Sequence, residues 1–311
     1  MKTAAYRHVF GPVPSRRLGR SLGVDVVPFK TCSYDCIYCQ LGRTTNKTIC
    51  RSEYTPTERI LDEVKRKLAD DSQPDYITFS GSGEPTLHSS LGRLIEAIKE
   101  ITTVPVAVLT NGSLLYDEQV QNDVRGANLV IPSLDVSDEI EFQRVNRPFV
   151  DVTFDKMVRG LIDFRTKYTG AIWLEVMLLR GVTDNESSVG KLVSFTEKIN
   201  PEKIQLNTVA RPPAEEYALA VSQEKMHCFA GMFGGKAEVI ADFNPAMNSR
   251  SFSISRNEVY NLIKRRPCSL KDIAAGLSIH RNEAVKHTQH LLTEGLITIE
   301  SIKSTRYYKA L

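Results

Sequence analysis

From residue 22 to residue 253, short apolar runs alternate with amphipathic stretches, and this alternation narrows the possible folds more than any other feature. The apolar runs fall at Gly23–Phe29, Tyr76–Phe79, Val104–Leu109, Leu129–Leu134, Ile172–Leu179 and Lys203–Val209. Helical periodicity occupies Thr57–Ala69, Leu91–Ile101, Phe154–Lys167 and Val189–Ile199, with Pro56 as a start signal and Asn200-Pro201 as a stop. Six such repeats without a strong hairpin signal predict parallel strands joined by crossover helices. A sheet of that kind lies open or curls towards a barrel, and its chemistry gathers at the carboxyl ends of the strands. Polar motifs fall there: Ser80-Gly-Ser-Gly-Glu-Pro85, Thr110-Asn-Gly112, Ser133-Leu-Asp135, Arg180-Gly-Val-Thr-Asp-Asn185 and Asn207. Any one of them is explained by the needs of a turn. Their recurrence after strand upon strand predicts an active site along one rim.

After the first predicted strand comes Thr31-Cys-Ser-Tyr-Asp-Cys-Ile-Tyr-Cys-Gln40. Cys32, Cys36 and Cys39, spaced by four and three, can grip one cubane iron–sulfur cluster from a single loop and leave one iron open. A structural zinc site is the alternative; it needs four ligands, and Cys50 is available eleven residues downstream. Tyr38, before the third cysteine, has no purpose in a zinc ribbon.

The length of 311 residues predicts about two domains. No run is long enough to span a membrane, and Met-Lys-Thr-Ala-Ala-Tyr-Arg-His lacks the apolar core of a secretory signal. Six cysteines, three of them clustered, suit a reducing compartment, so a cytoplasmic location without membrane partners is expected. Residues 254–311 carry ten Lys/Arg against five Asp/Glu, and the first 51 residues carry nine against Asp25 and Asp35. Two basic zones can flank a phosphate-rich substrate or simply be solvated surface.

With its Cys-x3-Cys-x2-Cys run and Tyr38, the sequence resembles the radical S-adenosylmethionine (SAM) superfamily. Ser82-Gly83-Glu84 looks like that superfamily's Gly-Gly-Glu motif. Gly11-Pro-Val-Pro-Ser-Arg-Arg-Leu-Gly-Arg-Ser-Leu-Gly-Val24 and Gln40-Leu-Gly-Arg-Thr-Thr45 look like a branch related to the tRNA wyosine synthases. The resemblance implies an α/β fold, a partial (β/α)6 barrel over residues 22–250, preceded by an extension at 1–21. It implies a [4Fe–4S] cluster on Cys32, Cys36 and Cys39, with SAM on the open iron. Reductive cleavage of SAM would give a 5′-deoxyadenosyl radical that abstracts hydrogen from a substrate. By the same resemblance Tyr38 borders SAM, Gly83 and Glu84 receive its ammonium, Ser133 and Asp135 its ribose hydroxyls with Asn111 as a further candidate, and Leu179 its adenine. For Asp135 a helix N-cap is the structural alternative. An electron donor such as ferredoxin or flavodoxin is an implied partner. The wyosine synthases carry a second cluster on N-terminal cysteines, and residues 1–31 contain none. Cys50 and Cys228 are expected to be buried apolar thiols, and Cys268 is unassigned.

Arg16, Arg17, Arg144, Arg147, Arg180 and Arg211 crowd the expected rim, and Arg144 with Arg147 could clamp a phosphate or carboxylate. Glu175, inside an apolar strand, must be paired or functional. In the tail, Ser269-Leu-Lys-Asp272 reads as a capping box and Gly276 as a helix end. A longer helix follows Ser278, with Val285, Thr288 and Leu292 inward, before a hairpin over Leu296–Ser301 and Thr305–Lys309. This order resembles a winged helix at 254–311, with His280, Arg281, Lys286, His287, His290, Lys303 and Arg306 available to nucleic acid, a peptide or a second copy. The expected function is a radical SAM enzyme acting on an RNA base or another phosphate-bearing molecule. The alternatives are an activating enzyme for a partner protein and an iron–sulfur redox-sensing regulator.

Overall fold

The computed structural model describes residues 6–15, 17–70, 73–211, 213–240, 256–277, 281–302 and 305–311. The elements in order are β1 (Val9–Ser15), β2 (Gly19–Val24), β3 (Thr31–Cys32), β4 (Asn46–Lys47), α1 (Thr57–Ala69), β5 (Tyr76–Phe79), α2 (Leu91–Ile101), β6 (Val106–Thr110) and α3 (Glu118–Val124). There follow β7 (Leu129–Pro132), α4 (Glu139–Val145), α5 (Phe154–Lys167), β8 (Ala171–Met177), α6 (Glu186–Ile199), β9 (Lys203–Asn207), α7 (Gln223–Met232) and β10 (Ala237–Val239). The tail comprises α8 (Arg256–Arg265), α9 (Leu270–Gly276), α10 (Arg281–Thr293), β11 (Ile297–Ile302) and β12 (Thr305–Ala310).

Eight strands form one sheet in the order β1-β2-β5-β6-β7-β8-β9-β10. Every pairing from β2 to β10 is parallel, as crossover helices require. The end strands β1 and β10 do not pair with each other, so the sheet is a partial barrel. Its outer face packs under the helices through Leu22, Ile77, Val108, Val130, Leu174 and Leu206, all fully or nearly fully buried. The inner face carries a smaller apolar layer of Leu18, Ala107, Leu129 and Ile131, with Leu109 and Trp173 against it. Above that layer the lining turns polar. In β8 the residues Ile172, Leu174 and Val176 are buried under helices, while Trp173, Glu175 and Met177 alternate towards the lumen at intermediate exposure.

Two departures from expectation lie at the sheet edges. The first strand is Gly19–Val24 rather than Gly23–Phe29, and it is preceded by β1, which pairs with it antiparallel. Within residues 1–21, expected as an extension, 9–15 and 19–21 therefore supply sheet. Pro12 and Pro14 hid β1 in the sequence, but an edge strand tolerates residues without an N–H, and the register slips between Phe10 and Val13. The strand β10 was also unforeseen.

In the tail, Ser269 and Asp272 form the expected capping box, with Ser269 N–H donating to Asp272 at 2.9 Å and Asp272 N–H to Ser269 Oγ at 3.1 Å. The buried face of α10 is Ala284, Thr288 and Leu291, with the half-buried Leu292 packed against the same core as expected; Val285, also expected inward, is half-buried. The tail's three helices and antiparallel hairpin share an apolar core of their own. His280 and Lys303 lie outside the described residues, as do the side chains of Arg281 and Lys286.

Candidate active site

The cysteine loop leaves the end of the first parallel strand and is clamped at both sides. Thr31 and Cys32 ladder with Asn46 and Lys47, while Asp35 N–H and Ile37 N–H donate to the carbonyls of Asn146 and Val145 at 3.0 and 2.9 Å. Cys32, Cys36 and Cys39 are unbridged and half-buried. The Nδ2 amides of Asn111 and Asn146 stand 3.5 Å from the sulfurs of Cys32 and Cys36. Burial pushes the Cys32 thiol up to about 12, reinforced by Glu84, and burial likewise raises Cys36 and Cys39.

Sulfurs in this setting become thiolates only beside a positively charged partner, and amide donors aimed at two of them suit metal-bound sulfur. Among the described residues no three His, Cys, Asp or Glu converge on a single metal ion. Cys50, the zinc alternative's fourth ligand, is exposed, and so is Cys228, against the expectation of buried thiols; Cys268 is the buried one.

Gly83 and Glu84 buttress this loop from below. A Cβ on Gly83 would lie 1.8 Å from the Thr31 carbonyl oxygen, so only glycine lets the two segments touch. Glu84 was expected to receive an ammonium, but its carboxylate is 2% exposed and already engaged. Its Oε1 accepts from Thr86 N, Thr86 Oγ1 and Thr110 Oγ1 at 3.0, 2.6 and 2.6 Å, and Oε2 accepts from Asn111 N at 2.7 Å. Burial still raises its pKa.

A cavity of about 230 Å3 opens at the strand ends, lined by Tyr38, Cys39, Ser133, Asp135, Glu175 and Met177 among others. Asp135 is 3% exposed and burial lifts its pKa to about 6. It accepts from the Tyr38 hydroxyl, from Asn146 Nδ2 at 3.0 Å and from Met177 N–H at 3.0 Å. It is not a helix cap; Asp138 caps α4, accepting from Glu141 N–H at 3.1 Å. Pro132, lacking an N–H, interrupts the β7–β8 ladder, which resumes at the Ser133–Glu175 bridge on the cavity wall. Glu175 is paired as well as lumen-facing: Arg17 grips it at 2.6 and 3.0 Å, and Asn207 Nδ2 donates to it at 2.9 Å.

Other expected residues fall elsewhere. Leu179 has no exposure and packs in the main core, so it does not line the cavity; Met177, two residues earlier in the chain, does. Arg144 and Arg180 are exposed outside the cavity lining. Arg147 is drawn to Glu215 at 2.7 Å and to the Tyr217 hydroxyl at 2.8 Å, so the expected Arg144–Arg147 clamp does not form. Arg16 lies outside the described residues. Asn146 escaped notice because Arg144–Pro148 was read for its arginines; a side-chain amide flanked by basic residues was the available signal.

Unbridged cysteines at the mouth of a parallel partial barrel, beside a carboxylate-lined cavity, define a class of metallocofactor enzyme built on strand ends. The profile of the Radical SAM superfamily matches residues 26–192. GTPase Obg of Brachyspira hyodysenteriae is 38% identical over 306 residues, which are 97% of this chain and 45% of that protein. A UPF0026 protein of Helicobacter pylori strain J99 is 35% identical over 306 residues, 97% of each chain. Streptococcus suis SuiB, solved bound to S-adenosylmethionine, superposes with a TM-score of 0.53 at 13% identity, over 74% of this chain and 53% of that one. The chain spans less than half of the GTPase Obg that it matches. It belongs to the radical SAM superfamily. Enzymes of that superfamily use a [4Fe–4S] cluster and SAM and need a reductant and a substrate. Among the described residues no helix is long and apolar enough to cross a membrane.

Proposed function

We propose that SAM is seated in the cavity between Cys39 and Glu175, and that the enzyme abstracts a hydrogen atom from a substrate held in the barrel beside it. The supporting observation is the convergence of Tyr38, Cys39, Ser133 and Asp135 on one cavity. In this reading Cys32, Cys36 and Cys39 hold the cluster. When bound, the cluster supplies the electron that cleaves a carbon–sulfur bond of SAM and so yields a 5′-deoxyadenosyl radical.

The chain's own residues place the reactants. Asp135, oriented by Tyr38 and Asn146, accepts ribose hydroxyls together with Ser133. Since the Glu84 carboxylate is engaged, the methionine ammonium goes to the Gly83 carbonyl, which accepts no hydrogen bond among the described residues. Asn111 and Asn146 steady two of the sulfurs. A redox-sensing regulator has no use for hydroxyl acceptors beside its cluster, which favours the enzyme. Ferredoxin or flavodoxin is the class of donor proposed.

The test is anaerobic reconstitution with iron and sulfide, then dithionite and SAM, with 5′-deoxyadenosine and methionine measured by mass spectrometry. Both products are expected from the wild type, and SAM binding about tenfold weaker in Asp135→Asn, the loss of one charge-assisted hydrogen bond. A brown protein that binds no SAM and forms neither product overturns the reading.

A further inference from the structure

A second chamber of about 240 Å3 lies between the barrel and the tail, and shares Arg17, Gln40 and Arg211 with the SAM cavity. Four guanidiniums line it: Arg17, Arg211, Arg265 and Arg266. They are not equally compensated. Arg17 is held by Glu175 at 2.6 Å. Arg265 pairs with Asp25 at 2.9 Å and lies over the Phe10 ring at 3.7 Å.

Arg211 and Arg266 differ. The Arg211 side chain is 9% exposed, yet it reaches Asp272 and Gln40 only at 3.5 Å each. Its Nε–H is buried without a partner. Asp272 meets it only through Oδ1, its Oδ2 being occupied by Ser269 N–H and Oγ at 2.9 and 2.8 Å. Arg266 has no ion pair among the described residues and lies close enough to Arg211 for its charge to depress the Arg211 pKa, after burial itself. A buried guanidinium with loose contacts is costly unless something else completes it. Paired planar forks suit a phosphate dianion.

We propose that Arg211 and Arg266 grip the phosphate of the substrate, a small organic phosphomonoester whose other end crosses the shared wall into the SAM cavity. The inference rests on the SAM seat proposed above. It favours a small molecule over RNA because the tail forms one wall of the chamber through Leu262, Arg265 and Arg266. The Tyr307 hydroxyl donates to the Ala210 carbonyl at 2.9 Å, so the wall is fastened beside the site. A folded RNA would have to displace it.

The experiment needs neither cluster turnover nor SAM. Inorganic phosphate and ribose 5-phosphate are titrated into the full-length protein by calorimetry, against sodium chloride of matched ionic strength. Both are expected to bind the wild type, ribose 5-phosphate more tightly. Arg211→Gln and Arg266→Gln are each expected to raise the dissociation constant about tenfold, while Arg159→Gln, on the exposed face of α5, leaves it unchanged. Because Arg266 makes no ion pair among the described residues, Arg266→Gln should keep the wild-type melting temperature in the absence of phosphate. Unchanged binding in Arg266→Gln, absence of binding by the wild type, or Arg266-dependent binding of an RNA oligonucleotide but not of the small phosphates overturns the proposal. Arg266-dependent phosphate binding in a protein that never cleaves SAM upholds the anion site and removes only the SAM seat.

Discussion

At Gly83 the strand-end turn and the cysteine loop meet with no room for a methyl group, since a Cβ would come within 1.8 Å of the Thr31 oxygen and 3.0 Å of Val27. The obstacle is backbone, which cannot swing aside as a side chain can. Gly181 is a useful contrast: it has a φ of +73° but nothing within 4 Å of its ideal Cβ, so only conformational strain opposes a side chain there. Gly83→Ala is therefore expected to cost about 1–3 kcal/mol through overpacking and to push the cysteine loop out of place. Gly181→Ala is expected to cost about 1 kcal/mol through its left-handed backbone alone. Urea midpoints report the stability loss in both, and iron bound per chain after reconstitution should fall only in Gly83→Ala. Equal iron content in the two variants would show that the close contact does not shape the loop.

Between elements, His88 ties the starts of two helices. Its Nε2 lies 2.9 Å from the Thr55 carbonyl just before α1, and its Nδ1 accepts from the N–H of Ser90, the N-cap of α2, at 3.2 Å. Only the neutral imidazole can do both, with the proton on Nε2. Burial lowers its pKa from the ordinary 6.5, so as pH falls the unfolded chain takes the proton first. The stability that neutral His88 contributes is complete above the unfolded value, drains away below it, and stops falling once the folded pKa is passed. Urea midpoints of the wild type are expected to decline on acidification from pH 7 more steeply than those of a non-titrating His88→Gln variant; parallel declines would refute the role. No sequence pattern announced this link, because its partners lie 33 residues apart. What sequence did reveal was local. The limits of α1, α2 and α5 follow from amphipathic periodicity, and the cysteine triad follows from spacing within one loop. Glu63 shows the opposite case: on α1 it accepts the N–H groups of Arg7, His8 and Val9, fastening the start of β1, and it reads in sequence as one more polar helical residue. The Arg17–Glu175 pair, 158 residues apart, likewise exists only once the barrel has curled.

Across the molecule, the tail is fastened to the barrel at separated points. Arg265 reaches Asp25 at the end of β2, Glu258 lies 3.7 Å from Lys67 of α1, Tyr307 donates to Ala210 after β9, and Val13 of β1 packs against the tail's apolar core. The Arg265–Asp25 pair is the most sheltered of the ionic links, at 13% and 10% side-chain exposure, with the guanidinium over Phe10. Arg265→Gln leaves the Asp25 carboxylate with Ser82 N–H and Oγ as donors, so the loss is smaller than for a charge stripped of every partner. It is expected to cost about 2–3 kcal/mol. That loss falls on the junction rather than on either core, because the tail's own cluster of Val259, Leu262, Ile263, Ile273 and Leu291 does not depend on the pair. Scanning calorimetry should then resolve one transition in the wild type and two in Arg265→Gln, the tail melting ahead of the barrel. A single transition shifted as a whole would mean that the apolar contact through Val13 couples the two parts without help from the ion pair.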